Sequence, residues 1–212
     1  MECLDIPEVN GYNGHLFHIL KYGMSMPLHS QDVVVLLKML ASRDANRRWT
    51  YADLGRDLFM SASQVFRSVS RAEAARLLST PTVPPPPGLE EESTRVWLLP
   101  NNNNLKEFLI HGVKYAFPVE RGGPTRGIPT AEAAAPLNKH FSQDFPLPPV
   151  WPHAAGPVRG IAFSPLYKSV PQAALRDPKL YELLALLDAI REGRAREREI
   201  AIRELTARID SR

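Results

Sequence analysis

Thr50-Tyr51-Ala52-Asp53-Leu54-Gly55-Arg56-Asp57-Leu58-Phe59-Met60-Ser61-Ala62-Ser63-Gln64-Val65 is the stretch on which the fold turns. It holds two helix starts in close succession. At each, a hydroxyl residue is followed three positions later by a side chain able to reach back: Asp53 after Thr50, Gln64 after Ser61. Such reciprocal pairs satisfy backbone N–H groups that the first helical turn leaves without partners. They predict a short helix from Tyr51 to Leu58, a turn at Phe59-Met60, and a further helix opened by Ser61 and running toward Leu78. Leu54 and Leu58 lie one turn apart on the first helix, and Val65, Phe66, Val69, Ala72 and Leu77 give the second its apolar support. Two helices crossing steeply over a tight turn leave room for a small residue at their contact, and Gly55 stands there.

Upstream, Ser30 can cap a helix with Gln31 and Asp32 in its first turn, and Val33, Leu36, Leu37 and Leu40 form one apolar stripe. Arg47-Arg48-Trp49 reads as an extended link to the next helix. Downstream, Pro81, the run Pro84-Pro85-Pro86-Pro87-Gly88 and Glu90-Glu91-Glu92 exclude helix interior and central strand. Arg95-Val96-Trp97-Leu98-Leu99 reads as a strand stopped by Pro100. Leu77-Leu78, the proline loop and Val96–Leu99 then supply a strand, a long loop and a strand after three helices.

In these features residues 50–65 resemble the helix-turn-helix of MarR-like winged-helix regulators of bacteria: Leu54 and Leu58, the small Gly55, the cap Ser61 and the inward Val65. The likeness spans about residues 30–100. Phe59 departs from it, standing where the family has glycine in the turn. A bulky residue disfavours a left-handed backbone, which predicts a turn different in detail. The resemblance implies a DNA-binding domain whose recognition helix is Ser61–Leu78. With Val65, Val69 and Ala72 inward, the expected outward set is Ala62, Ser63, Gln64, Arg67, Ser68 and Arg71. Gln suits adenine, Arg guanine, Ser either base or phosphate, and Ala a thymine methyl. Arg67, Arg71 and Arg76 face a single acid, Glu73, over this helix. Arg47 and Arg48 add expected backbone contacts, and Ser61 sits at the helix N-terminus, which favours phosphate.

The remaining chain is organised around this unit. Residues 1–29 read as an N-terminal arm, 30–116 as the winged helix-turn-helix domain, 117–176 as an irregular Pro/Gly-rich segment, and 177–212 as a C-terminal helical hairpin. The expected class is mainly α with a small β wing. Asn101 to Asn104 offer a cap for a helix over Leu105–Tyr115 that buries Phe108, Leu109, Val113 and Tyr115. Asp177-Pro178 is a clean helix start, Leu180, Leu183, Leu184, Leu187 and Ile190 form its apolar stripe, and Gly193 is its stop. A last helix runs from Ala195 to Ile209, with Arg191–Arg198 read as a solvated face. Cations and acids are equal in number over 177–212. An apolar stripe beside balanced charge suits either dimerisation and partner contact or packing within the domain. Arg126-Gly127-Ile128 is echoed by Arg159-Gly160-Ile161, which leaves a structural repeat open.

The composition excludes several classes. With 44% hydrophobic residues the chain can build a core, and a net charge of +3 permits an anionic partner without demanding one. The single cysteine, Cys3, forms no internal disulfide. No apolar run approaches the roughly 18 residues that span a bilayer, and no leader pattern opens the chain. His15 and His18 lack further ligands for a metal. Gly122-Gly123-Pro124-Thr125-Arg126-Gly127 lacks the Lys-Ser/Thr of a phosphate loop, and no Gly-x-Ser-x-Gly elbow occurs. The expectation is a cytoplasmic, non-enzymatic regulator without cofactor or metal. It binds double-stranded DNA as a homodimer, in the manner of a repressor. The alternative is an antitoxin-like protein that regulates its own gene and grips a partner protein.

Overall fold

The computed structural model describes residues 27–43, 49–79, 98–141 and 146–211. The arm over residues 1–26, the Arg47-Arg48 link and the proline loop lie outside them. The chain is mainly helical, with a two-stranded and a three-stranded β element.

Helix α1 (Ser30–Ala41) runs through the centre. Instead of one buried stripe, every residue from Asp32 to Leu40 is buried. The physical reason lies in the run Val33-Val34-Val35-Leu36-Leu37, apolar on all sides, and such a helix is stable only when enclosed. It packs against α2 (Tyr51–Leu58), α3 (Ala62–Ala74) and α7 (Pro178–Glu192). His29 rather than Ser30 is the N-cap, and its N–H donates to Asp32 Oδ2 at 2.8 Å. After α3, β1 (Leu78–Ser79) pairs antiparallel with β2 (Leu99–Pro100), Leu78 opposite Pro100 and Ser79 opposite Leu99. A strand pair thus brackets the proline loop as expected, but Pro100 lies within the second strand rather than stopping it, and Val96-Trp97 fall outside the described residues.

Asn101 caps the next helical run through its side chain, which accepts from the Asn104 N–H at 3.3 Å. The run comprises α4 (Asn102–Glu107), a π-helical segment (Phe108–Gly112) and α5 (Val113–Ala116). Leu109 and Val113 are buried as expected, whereas Tyr115 is 77% exposed. The π-turn adds a residue to the helical period and rotates Tyr115 off the inward face.

Residues 117–176 correct the expectation of an irregular segment. They form β3 (Arg121–Pro129), β4 (Pro149–Pro152), β5 (Val158–Phe163) and α6 (Val170–Arg176). Each strand pairs with both others: β3 antiparallel to β4 and β5, and β4 parallel to β5. Three strands closing on themselves approach very tightly, and glycine makes this possible. A Cβ on Gly127 would collide with the Trp151 carbonyl, and one on Gly160 with the Pro148 carbonyl. The Gly/Pro richness that argues against strands is here what a closed unit of three strands requires.

The hairpin of α7 and α8 (Ala195–Asp210) is present. Asp177 accepts from the Leu180 N–H at 3.1 Å, and Pro178 follows at the first helical position. The stripe Leu180, Leu183, Leu184, Leu187 and Ile190 is buried in a core that reaches from Val33 to Ile209 within the one chain. Arg191, read as part of a solvated face, is buried instead. Its Nη1 donates to Asp188 Oδ1 at 2.7 Å and its Nε to the Phe117 carbonyl at 2.9 Å. Asp188 Oδ2 also accepts from Trp151 Nε1 at 2.7 Å and Thr130 Oγ1 at 2.8 Å. This network ties the β-unit to α7. Among the described residues, no helix is long and apolar enough to cross a membrane.

Candidate functional site

The α2–turn–α3 unit is built from the local rules that its sequence announces. Thr50 Oγ1 accepts from the Asp53 N–H at 3.0 Å, and Asp53 Oδ2 accepts from the Thr50 N–H at 3.4 Å. Ser61 Oγ accepts from the Gln64 N–H at 3.2 Å while Gln64 Oε1 accepts from the Ser61 N–H at 2.9 Å. Both capping boxes close. Leu54, Leu58 and Val65 are fully buried between the helices. A Cβ on Gly55 would come within 2.6 Å of the Met60 carbonyl, so only glycine lets the chain fold back this closely.

Phe59 adopts the left-handed conformation, φ 55° and ψ 42°, that a bulky residue disfavours. The turn thus keeps the backbone a glycine would give. The ring is not idle, because the Arg176 guanidinium stacks 4.3 Å from its centroid. Two further contacts fix the unit to the rest of the chain. Lys38 Nζ on α1 pairs with Asp57 of α2 at 3.0 Å and with Asp177, the cap of α7, at 2.9 Å. Gln64 Nε2 donates to the Tyr167 hydroxyl at 3.2 Å.

The structure divides the eight expected DNA-contacting residues. Arg47 and Arg48 lie outside the described residues. Ser63 and Arg67 are exposed on α3. Ser61 is exposed, but its hydroxyl is engaged in the cap. Gln64 is half-buried, with its amide oxygen in the cap and its amide nitrogen on Tyr167, so both ends of the amide are engaged within the chain.

Ser68 and Arg71 correct the expectation outright. Ser68 is fully buried and accepts from Gln31 Nε2 at 3.2 Å and Arg71 Nη2 at 3.3 Å. Arg71 is buried against α1, with Nε 2.7 Å from Asp32 Oδ2 and Nη2 2.6 Å from Oδ1. The helical period explains both. Ser68 is three residues after Val65 and four before Ala72, at the centre of the inward stripe. Arg71 follows Ser68 by three and meets a buried carboxylate.

The outward face of α3 is therefore Ala62, Ser63, Phe66, Arg67 and Ala74, with Ser70 half-buried at its middle. Phe66, expected inward, is 40% exposed and meets Tyr51 edge to face at 5.4 Å. Ser70 Oγ donates to the Phe66 carbonyl at 3.1 Å. With Arg71 paired to Asp32, the exposed arginines of α3 and the turn that follows it are, among the described residues, Arg67 and Arg76. A comparison of the chain with protein-family models, curated proteins and solved structures finds no match.

Proposed function

We propose that this chain is a sequence-specific binder of double-stranded DNA, with α1–α3 and the β1–β2 pair acting as a winged helix-turn-helix and α3 as the recognition helix. The observation that carries the reading is the exposed side of α3. Ser63, Arg67 and Ser70 follow one another at helical spacing on that side, while the opposite side is locked by Val65, Ser68, Val69 and Arg71. A helix held rigidly on one face and polar on the other suits insertion into a major groove. Arg67 suits guanine, the two serines base edges or phosphate, and Ala62 and Phe66 thymine methyl groups. The order of three helices followed by a short antiparallel strand pair supports the same reading.

The reading includes a cytoplasmic, non-enzymatic regulator acting as a dimer, with two recognition helices about one helical turn of DNA apart. The α7 stripe is already buried, so its dimer interface lies elsewhere. Anisotropy with a duplex from the upstream region of its own gene, against a scrambled duplex, tests the proposal. Tighter binding to the first, lost in Arg67→Ala, supports it, and equal binding to both rejects it. The neutralised Arg71 favours a second reading, the antitoxin-like one, because an α3 face of modest charge bearing Phe66 also suits a protein partner. Co-purification with the product of a neighbouring gene, abolished by Phe66→Ala, distinguishes that case.

A further inference from the structure

The echoed triplets Arg126-Gly127-Ile128 and Arg159-Gly160-Ile161 fall on neighbouring strands that run in opposite directions. In the β3–β5 ladder Arg126 stands directly opposite Arg159, Thr125 opposite Gly160 and Gly127 opposite Val158. The echo is thus a local two-fold pairing rather than a repeat along the chain. Direct antiparallel partners share one face of a sheet, with Cβ atoms about 4.5–5.5 Å apart. The glycines show which face. A Cβ on Gly127 or Gly160 would strike Val150 of β4, so these positions look into the closed strand unit. Arg126 and Arg159, each one residue away, look out, and both are exposed.

Like charges placed directly opposite weaken a ladder. Other arginines around this unit are matched: Arg121 pairs with Glu192 and Arg191 with Asp188. Among the described residues neither Arg126 nor Arg159 makes a side-chain hydrogen bond or ion pair. Two arginines in direct register on one outward face, without a counter-charge among the described residues, fit a tetrahedral oxyanion that accepts from both.

We propose that the outward face of the β3–β5 ladder is a phosphate-binding site in which Arg126 and Arg159 together hold one phosphate group. The group is either a phosphodiester of a nucleic-acid backbone or the phosphate of a small ligand. The site is independent of the α3 reading.

The test uses the full chain, the double variant Arg126→Ala with Arg159→Ala, and Arg126→Glu. The last places opposite charges across the ladder. Its thermal midpoint in chloride should equal or exceed that of the wild type, which controls for misfolding. Inorganic phosphate is titrated against chloride at matched ionic strength, and a duplex oligonucleotide is titrated at several salt concentrations. At ten times its Kd, phosphate should raise the wild-type midpoint by about 3–6 °C, and both variants should lose that shift. If duplex affinity also falls and the slope of log K against log salt flattens by about 0.9 for each phosphodiester no longer held, the group is a backbone phosphodiester. That result supports the site even where free phosphate binds too weakly to shift the midpoint. Loss of the phosphate shift with unchanged duplex binding assigns a small phosphorylated ligand. Wild type and variants that agree in both titrations overturn the site. Arg67→Ala should leave the phosphate shift intact, so failure of the α3 reading is read separately.

Discussion

Arg71 of α3 grips Asp32 of α1 through two parallel hydrogen bonds of 2.7 and 2.6 Å, with both side chains buried. Asp32 in turn accepts from the His29 N–H, so a single carboxylate closes the start of α1 and anchors the middle of α3. The pair fixes the orientation of the exposed α3 face without being part of it.

Removing one partner strands the other charge in the core. Arg71→Ala should destabilise the protein by about 3–5 kcal/mol, and Asp32→Ala by a similar amount. Joint replacement by Met and Leu should cost far less, because buried ion pairs exchanged for apolar groups of similar volume are often neutral. Urea denaturation of the two single variants and the double variant checks this. Additive losses would show that the pair is not a coupled unit. Any DNA-binding loss in Arg71→Ala is then a folding effect.

Arg67→Ala is the contrasting case. Its side chain is exposed, so its stability should stay within about 0.5 kcal/mol of the parent. Its affinity for a preferred duplex should fall by the equivalent of about 1–3 kcal/mol if it reads a base. Binding that weakens equally for preferred and scrambled duplexes would make Arg67 a backbone contact instead.

Lys38 and Asp177 link the α1–α3 unit to the α7–α8 hairpin, and their bond should respond to pH. Burial alone would raise the Asp177 carboxyl, but the hydrogen bonds from Lys38 and the Leu180 N–H outweigh it and hold the group below its usual value. A carboxyl depressed in the folded state stabilises above its unfolded pKa, about 3.9. That contribution is lost as pH falls through the lower folded value. The protein should therefore lose stability below about pH 4, and Asp177→Asn should flatten the loss in that range. The variant should also be less stable at pH 7. Parallel acid profiles for parent and variant would refute the linkage.

How much of this was legible in the sequence depends on whether the signal was local. The capping pairs Thr50/Asp53, Ser61/Gln64 and Asp177 with Pro178 involve residues within one turn, and each placed a helix start correctly. Gly55 was legible because helix crossing has one steric demand. Ser68 was legible in principle, bracketed by Val65 and Ala72, but its polarity argued for the surface. Arg71 could not be placed without its partner 39 positions away. Nor could Arg191, whose charge is satisfied by Asp188 and by the backbone carbonyls of Phe117, Pro118 and Ser164, far away in sequence. The strands β3, β4 and β5 were hidden because their glycines and prolines break every local strand pattern, and only the closed packing explains them.

Phe59 offers the sharpest test of how tertiary contact overrides local preference. At φ 55° a non-glycine residue gives up about 1–2 kcal/mol. Its compensation is the stack with Arg176, about 0.5–1 kcal/mol at a partly exposed site. Phe59→Ala loses the stack and keeps the backbone cost, so it should be less stable than the parent by about 1 kcal/mol. Phe59→Gly loses the same stack and also releases the backbone, at a cost of about 0.5–1 kcal/mol in unfolded-chain entropy. It should stay within about 1 kcal/mol of the parent and lie above the alanine variant. In an ordinary helix interior the order is the reverse, with glycine below alanine by about 1 kcal/mol. For a chain of this size the difference corresponds to about 2–4 °C in Tm for each kcal/mol. Thermal melts of the two variants decide the matter. An alanine variant more stable than the glycine one would mean that the turn does not hold the left-handed backbone in solution. The α2–α3 crossing geometry would then have to be redrawn with it.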